Sequence, residues 1–98
     1  MVHKACVGKA SFYAYEGGKT ASGKPFRRSE FTAASRTLRF GTRLKVTDLH
    51  TDKSVDVTVT DRGPSKQAIM LDLSLGAAKQ LGLDGRRGIA KVRAEIIR

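Results

Sequence analysis

One short stretch of this 98-residue chain has both the residue types and the setting for proton chemistry. Thr60-Asp61-Arg62-Gly63-Pro64 follows directly on the alternating run Val55-Asp56-Val57-Thr58-Val59. Successive side chains of a strand face opposite sides, so Val55, Val57 and Val59 share a face and Asp61 continues their parity. A carboxylate on the core side of a strand end, entering a Gly-Pro turn, loses hydration. That loss disfavours its charged form, while Arg62 beside it favours that form. A group so balanced can exchange a proton near neutral pH. Asp61 can equally serve the turn alone, by accepting backbone N–H groups, and the stretch by itself leaves both roles open.

Other chemistries find less support. His3, His50 and Cys6 are isolated and have no metal-ligand spacing, so no metal and no cofactor is expected. No serine sits in a nucleophile elbow, and neither histidine has an evident triad partner. Gly17-Gly18-Lys19-Thr20 has the ending of a phosphate-binding loop, but the first glycine of that motif falls at Tyr13. What remains is carboxylate chemistry, with Glu16, Glu30 and Asp72 as companions for Asp61. Asp72 is read as structural, tying a strand end to a helix start.

These residues must be positioned by short strands. Gly8 to Tyr15 alternates Ala10, Phe12 and Ala14 against Ser11, Tyr13 and Tyr15, the pattern of a half-buried strand. Thr20 to Phe26 is a polar loop punctuated by Gly23 and Pro25. Glu30 to Arg39 has no clear period and reads as irregular or a short strand. Thr42 to Leu49 alternates Leu44 and Val46 against cations, and His50 to Lys53 turns it into the valine strand, a hairpin pattern. Ile69 to Leu73 is a further strand, closed by Ser74 as helix N-cap. Leu75 to Leu81 is a two-turn helix with Leu75, Ala78 and Leu81 on one side, and Gly82 suits its left-handed end. Ala90, Val92, Ala94 and Ile96 alternate in a last strand. Five or six short strands and one small helix in so short a chain predict a mainly β fold, a closed barrel rather than an open sheet.

Composition sets the frame around them. With 40% hydrophobic and 29% charged residues the chain reads as one globular domain, and a single cysteine excludes an internal disulfide. No run is long and apolar enough for a transmembrane segment, and Met1 to Lys9 lacks the apolar core of a signal peptide. The net charge of +10 points to anionic partners such as nucleic acid, acidic glycan or an anionic surface. Met1 to Lys45 holds ten Lys/Arg against Glu16 and Glu30, so the N-terminal half supplies most of the positive field. No helix-turn-helix, zinc finger or aromatic RNA-binding signature accompanies that charge, which makes nucleic acid the distant alternative.

Six motifs in order give a resemblance. Gly8-x-Ala10-Ser11-x-Tyr13, Thr20-Ala21-x-Gly23, Thr32-Ala33-Ala34-x-x-Thr37-Leu38-x-Phe40-Gly41-Thr42, Asp61-Arg62-Gly63-Pro64, Asp72-Leu73-Ser74 and Gly88-x-Ala90-x-Val92 together resemble the rare lipoprotein A family, from about Gly8 to Ile97. The resemblance implies residues 1–7 as a tail and 8–98 as a six-stranded double-psi β-barrel, the fold of expansins and barwin-like proteins. It implies an exported bacterial protein of the periplasm or cell envelope, monomeric, that acts on peptidoglycan glycan strands stripped of peptides. Active members are lytic transglycosylases, in which the 6-hydroxyl of a muramic acid attacks its own anomeric carbon, so one acid that gives and then takes a proton can suffice. Asp61 matches the family's aspartate and takes that catalytic role. Tyr13 then forms part of a sugar-binding wall, Thr20 and Ser35 complete the substrate-binding set, and Lys24, Arg36 and Arg62 hold anionic groups. Lys24 stands where the family usually carries glutamate, and Ser35 where it often carries histidine. Those two departures leave two readings, a lytic transglycosylase or an expansin-like module that binds wall glycan without cutting it.

Overall fold

The computed structural model describes residues 5–13, 20–23, 30–83 and 87–97. Its elements in chain order are β1 (Ala5–Tyr13), β2 (Thr32–Ala34), β3 (Arg43–Asp48), β4 (Ser54–Asp61), β5 (Ile69–Ser74), α1 (Leu75–Gln80) and β6 (Ala90–Ile97). The strands close into a barrel in the order β1-β5-β2-β4-β3-β6. β1 runs parallel to β5 and β2 parallel to β4, while the other four pairings are antiparallel. The mainly β barrel expected from the motif order is therefore the fold. β1 starts at Ala5, so Ala5 to Val7 pair with β6 rather than trail from the barrel.

Alternation fills the interior. Leu44 and Val46 of β3, Val55, Val57 and Val59 of β4, Leu71 and Leu73 of β5, and Val92 of β6 point inward and are buried together. Full burial of each such side chain is worth about 1.5–3 kcal/mol. The weakly patterned segment around residue 33 supplies only a three-residue strand, yet Ala33 is fully buried between β4 and β5. Its small side chain lets the wall close there.

The helix is fixed by its ends. Ser74 Oγ accepts from Ala77 N–H at 3.3 Å and from Thr32 N–H at 3.1 Å, and donates to the Glu30 carbonyl. One fully buried hydroxyl thus caps α1 and ties it to the start of β2. At the other end Gly82 N–H bonds the Lys79 carbonyl and Leu83 N–H the Ala78 carbonyl, the double bond of a Schellman turn, with Gly82 at φ 80°. The buried side of α1 is Ala77, Ala78 and the capping Leu81, and Leu75 is only half-buried. Small alanines bring α1 against the barrel, a closeness that the expected Leu75 stripe does not provide.

The β3–β4 hairpin is pinned at its turn by Asp48, which is fully buried. Its Oδ1 accepts from His50 N–H at 2.8 Å and its Oδ2 from Arg87 Nη2 at 2.9 Å. Burial pushes this carboxyl up, but the bonds from His50 and Arg87 outweigh burial and hold it below the usual aspartate range. Among the described residues no helix is long and apolar enough to cross a membrane.

Candidate active site

The site is a row across four strands. Ser11 of β1 pairs with Asp72 of β5, Asp72 with Ala34 of β2, and Ala34 with Asp61 of β4. A register shift creates this row. Ala33 pairs with Val59, but the next residue, Ala34, pairs with Asp61, so Thr60 is an extra residue in β4. Such a bulge re-aims the side chains that follow it. Asp61 therefore does not continue the inward parity of Val55, Val57 and Val59. It joins Ala34 and Asp72 on the opposite face from buried Ala33 and Leu73, and this corrects the core-side placement expected from alternation.

Two carboxylates thus flank one alanine. With strands about 4.8 Å apart, their Cα atoms are roughly 10 Å apart. The small Ala34 side chain leaves room above it for a groove of about 250 Å³, bordered by Tyr13, Asp61, Asp72 and the Gly63-Pro64-Ser65 turn.

Local bonds set each acid. Asp61 Oδ1 accepts from Arg62 N–H at 2.9 Å and from Ala21 N–H at 3.0 Å. The 20–23 segment is folded over it, because Ser22 N–H bonds the Thr60 carbonyl and Gly23 N–H the Thr20 carbonyl. Among the described residues, Asp61 Oδ2 accepts no hydrogen bond. Gly63 follows at φ 134°, a conformation open only to glycine, and the Gly63–Pro64 peptide is cis. Asp72 is half-buried, and Ser11 Oγ donates to its Oδ1 at 2.9 Å. Burial pushes the Asp72 carboxyl up, the Ser11 bond pulls it down, and the negative charge of Asp61 pushes it up again, so it lies above the usual aspartate range. A carboxyl whose charged form is disfavoured, lying in a groove near a second carboxylate, is a candidate for proton transfer.

Of the residues expected in the site, Tyr13, Asp61 and Arg62 border the groove. Thr20 is buried in the 20–23 turn, its Oγ1 2.8 Å from Ser22 Oγ. Lys24 lies outside the described residues. Ser35 is 4% exposed, and its Oγ accepts from Leu38 N–H at 3.2 Å, holding its own loop rather than facing the groove. Arg36 Nη1 donates to the Pro64 and Lys66 carbonyls at 2.7 and 3.2 Å. Arg62 Nη1 donates to the Ser35 and Leu38 carbonyls at 3.0 and 2.7 Å. Ser35 and Arg36 instead border a second, apolar hollow with Cys6, Leu38 and Met70.

Asp72, named as a companion of Asp61 but read as structural, and Ser11, not expected in the site, both stand in this row. The alternation of Ile69, Leu71 and Leu73 already put Asp72 on the outer side of its strand. Nothing in the chain revealed that the β2 register would set it across Ala34 from Asp61. Among the described residues no three His, Cys, Asp or Glu side chains gather as a metal-binding group.

Comparison with known proteins bears on the family and the fold. Residues 5–94 match the family described as lytic transglycolase. The probable endolytic peptidoglycan transglycosylase RlpA of Nostoc is 45% identical over 94 residues, covering 92% of this chain and 25% of the relative. The endolytic peptidoglycan transglycosylase RlpA of Haemophilus influenzae is 44% identical over 92 residues, covering 92% of this chain and 32% of the relative. The probable enzyme of Aquifex aeolicus is 45% identical over 93 residues, covering 93% and 41%. The chain spans between a quarter and about two fifths of the length of these relatives. Among solved structures, a Streptomyces papain inhibitor superposes with a TM-score of 0.79 at 22% identity, covering 97% of this chain and 96% of the inhibitor. The apo expansin of Clavibacter michiganensis superposes with a TM-score of 0.80 at 24% identity, covering 97% of this chain and 51% of the expansin. At those identities the likeness is one of fold.

Proposed function

The chain belongs to the lytic transglycolase family, with a double-psi β-barrel like that of the RlpA proteins, and from that premise we propose that it cleaves peptidoglycan glycan strands by lytic transglycosylation. The observation that carries the proposal is the pair of carboxylates, Asp61 and Asp72, on either side of Ala34 beneath an open groove. Peptide-stripped strands in the cell envelope are the substrate that suits it, since each muramic acid then bears a free carboxylate and the chain is strongly basic.

In this mechanism Asp72, whose proton is favoured by burial and by the charge of Asp61, gives that proton to the glycosidic oxygen as the bond to the muramic anomeric carbon breaks. The 6-hydroxyl of the same sugar closes on that carbon and releases its proton to Asp61. The products are a 1,6-anhydro end and a free hydroxyl on the leaving sugar, and water re-equilibrates the two acids. Asp61 also faces the positive charge that develops on the ring, and Tyr13 supplies a flat wall for it. No attacking water is needed, so the site requires no separate group to activate one.

The test is incubation with denuded glycan strands, followed by mass analysis for anhydro-muramic ends. Wild type is expected to form them, and Asp61→Asn and Asp72→Asn to lose about 10²- to 10⁴-fold of the rate, the usual contribution of a positioned acid or base. The second reading, a groove that binds glycan without cutting it, rests on Lys24 and Ser35 in place of the family's glutamate and histidine. It prevails if strands are captured by wild type and by both variants while no anhydro ends appear.

A further inference from the structure

Loops 35–42 and 62–68 exchange arginines. Arg36, from the first, grips the Pro64 and Lys66 carbonyls of the second, while Arg62, from the second, grips the Ser35 and Leu38 carbonyls of the first. The Arg62 guanidinium carbon also sits 4.0 Å from the centre of the Phe40 ring, a cation–π contact on the same loop. Two backbone bonds lie inside this frame: Ser35 N–H to the Asp61 carbonyl at 3.1 Å and Gly41 N–H to the Val59 carbonyl at 2.8 Å. The frame therefore brackets the bulge that aims Asp61.

We propose that Arg36 and Arg62 are positioning residues, a reciprocal clamp that fixes Asp61 against Asp72, rather than receptors for anionic substrate groups. The proposal rests on the reading of Asp61 and Asp72 as the reacting pair. Three physical features support it. Each guanidinium spans two carbonyls through its Nη1 group, at the end of a rigid planar head whose reach and orientation the shorter, freely rotating lysine ammonium does not reproduce. Those contacts spend the arginines on the protein's own backbone. They also draw Arg62, the cation next in sequence to Asp61, toward the Ser35 and Leu38 carbonyls, so the acid keeps its charge free to act on Asp72.

The charge-conserving variant separates the two roles. On denuded strands, Arg36→Lys is expected to lower kcat on the order of 10- to 100-fold, the cost of a displaced catalytic group, with KM within about twofold. An anion receptor behaves the other way: Arg36→Lys stays near wild type and Arg36→Ala raises KM at unchanged kcat, and that result overturns the proposal. A readout that needs no turnover is the titration of the Asp72 carboxyl by ¹³C NMR in wild type, Asp61→Asn, Arg36→Lys and Arg36→Ala. Removing the charge of Asp61 lowers the Asp72 pKa, and loosening the clamp is expected to move it the same way. Loss of a positive charge alone raises it instead, so the sign of the shift in Arg36→Ala distinguishes a displaced Asp61 from a deleted cation. An Asp72 titration that is unchanged or raised in both Arg36 variants overturns the clamp. Arg36 is exposed and engages the 62–68 loop through its side chain, so its variants carry the test even where Arg62→Ala does not fold. If wild type forms no anhydro ends, the transglycosylase reading fails and the titration still decides the clamp.

Discussion

The two ends of the β4 strand treat their carboxylates in opposite ways. At the hairpin end Asp48 is fully buried, with one oxygen on a backbone N–H and the other on Arg87. At the far end Asp61 and Asp72 are half-buried around an open groove, and their arginine neighbours bond carbonyls rather than carboxylates. The first arrangement lowers a pKa and the second raises one. Burial penalises charge at both ends, so the difference lies in whether a cation and N–H donors are present to offset it. A satisfied carboxylate stabilises a fold and does little else. An incompletely satisfied one costs stability and can move a proton.

The comparison can be broken at Asp48 first. Asp48→Ala is expected to destabilise the barrel by about 2–3 kcal/mol at neutral pH, less than a fully buried pair because Arg87 remains partly exposed. For a domain of this size each kcal/mol is worth about 4–8 °C in Tm, measured by thermal unfolding. Asp48 has a depressed folded pKa, so its contribution is present above the ordinary aspartate value and is lost as pH falls through the folded one. The gap between wild type and Asp48→Ala should therefore close in acid. A gap that persists unchanged at low pH contradicts the role given to the ion pair.

A smaller loss is expected where the two regions meet. Ser74→Ala removes the α1 cap and the acceptor of Thr32 N–H, next to the β2 strand that separates Asp61 from Asp72. About 1–2 kcal/mol should disappear from the unfolding free energy in urea, with the m-value unchanged.

The smallest effect has the opposite sign. The folded pKa of Asp72 is raised, so its charged form is disfavoured by folding at neutral pH, and Asp72→Asn should raise Tm modestly there while slowing the proposed turnover by about 10²- to 10⁴-fold. Asparagine keeps an acceptor for Ser11 Oγ. Below the ordinary aspartate value Asp72 is protonated in both folded and unfolded states, and the gain should vanish. A variant that loses stability at pH 7 would place Asp72 with Asp48 as a structural acid.

Much of the fold was legible in the chain because its strands are amphipathic. Alternation located β3, β4, β5 and β6 to within a residue or two, and Ser74 and Gly82 marked the ends of α1 through cap chemistry that needs no tertiary context. Thr32 to Ala34 was blurred, because three residues are too few for a period and their burial comes from neighbours on both sides. Arg36 and Arg62 were read as anion holders from charge alone, since the carbonyls they bond are brought near only by loops that meet in space.

The stretch Asp61-Arg62-Gly63-Pro64 divides along the same line. Its residue types fixed by themselves that a carboxylate would follow a strand and enter a turn, and the ordered motifs fixed the family. The face on which Asp61 would emerge was decided by the tertiary structure, because the bulge at Thr60 exists only where β4 pairs with the short β2. That pairing, joined to the β2–β5 register, also set Asp72 on the other side of Ala34. Alternation is a property of one strand and can be read along it; a site built across four strands depends on their relative register, which no single strand encodes.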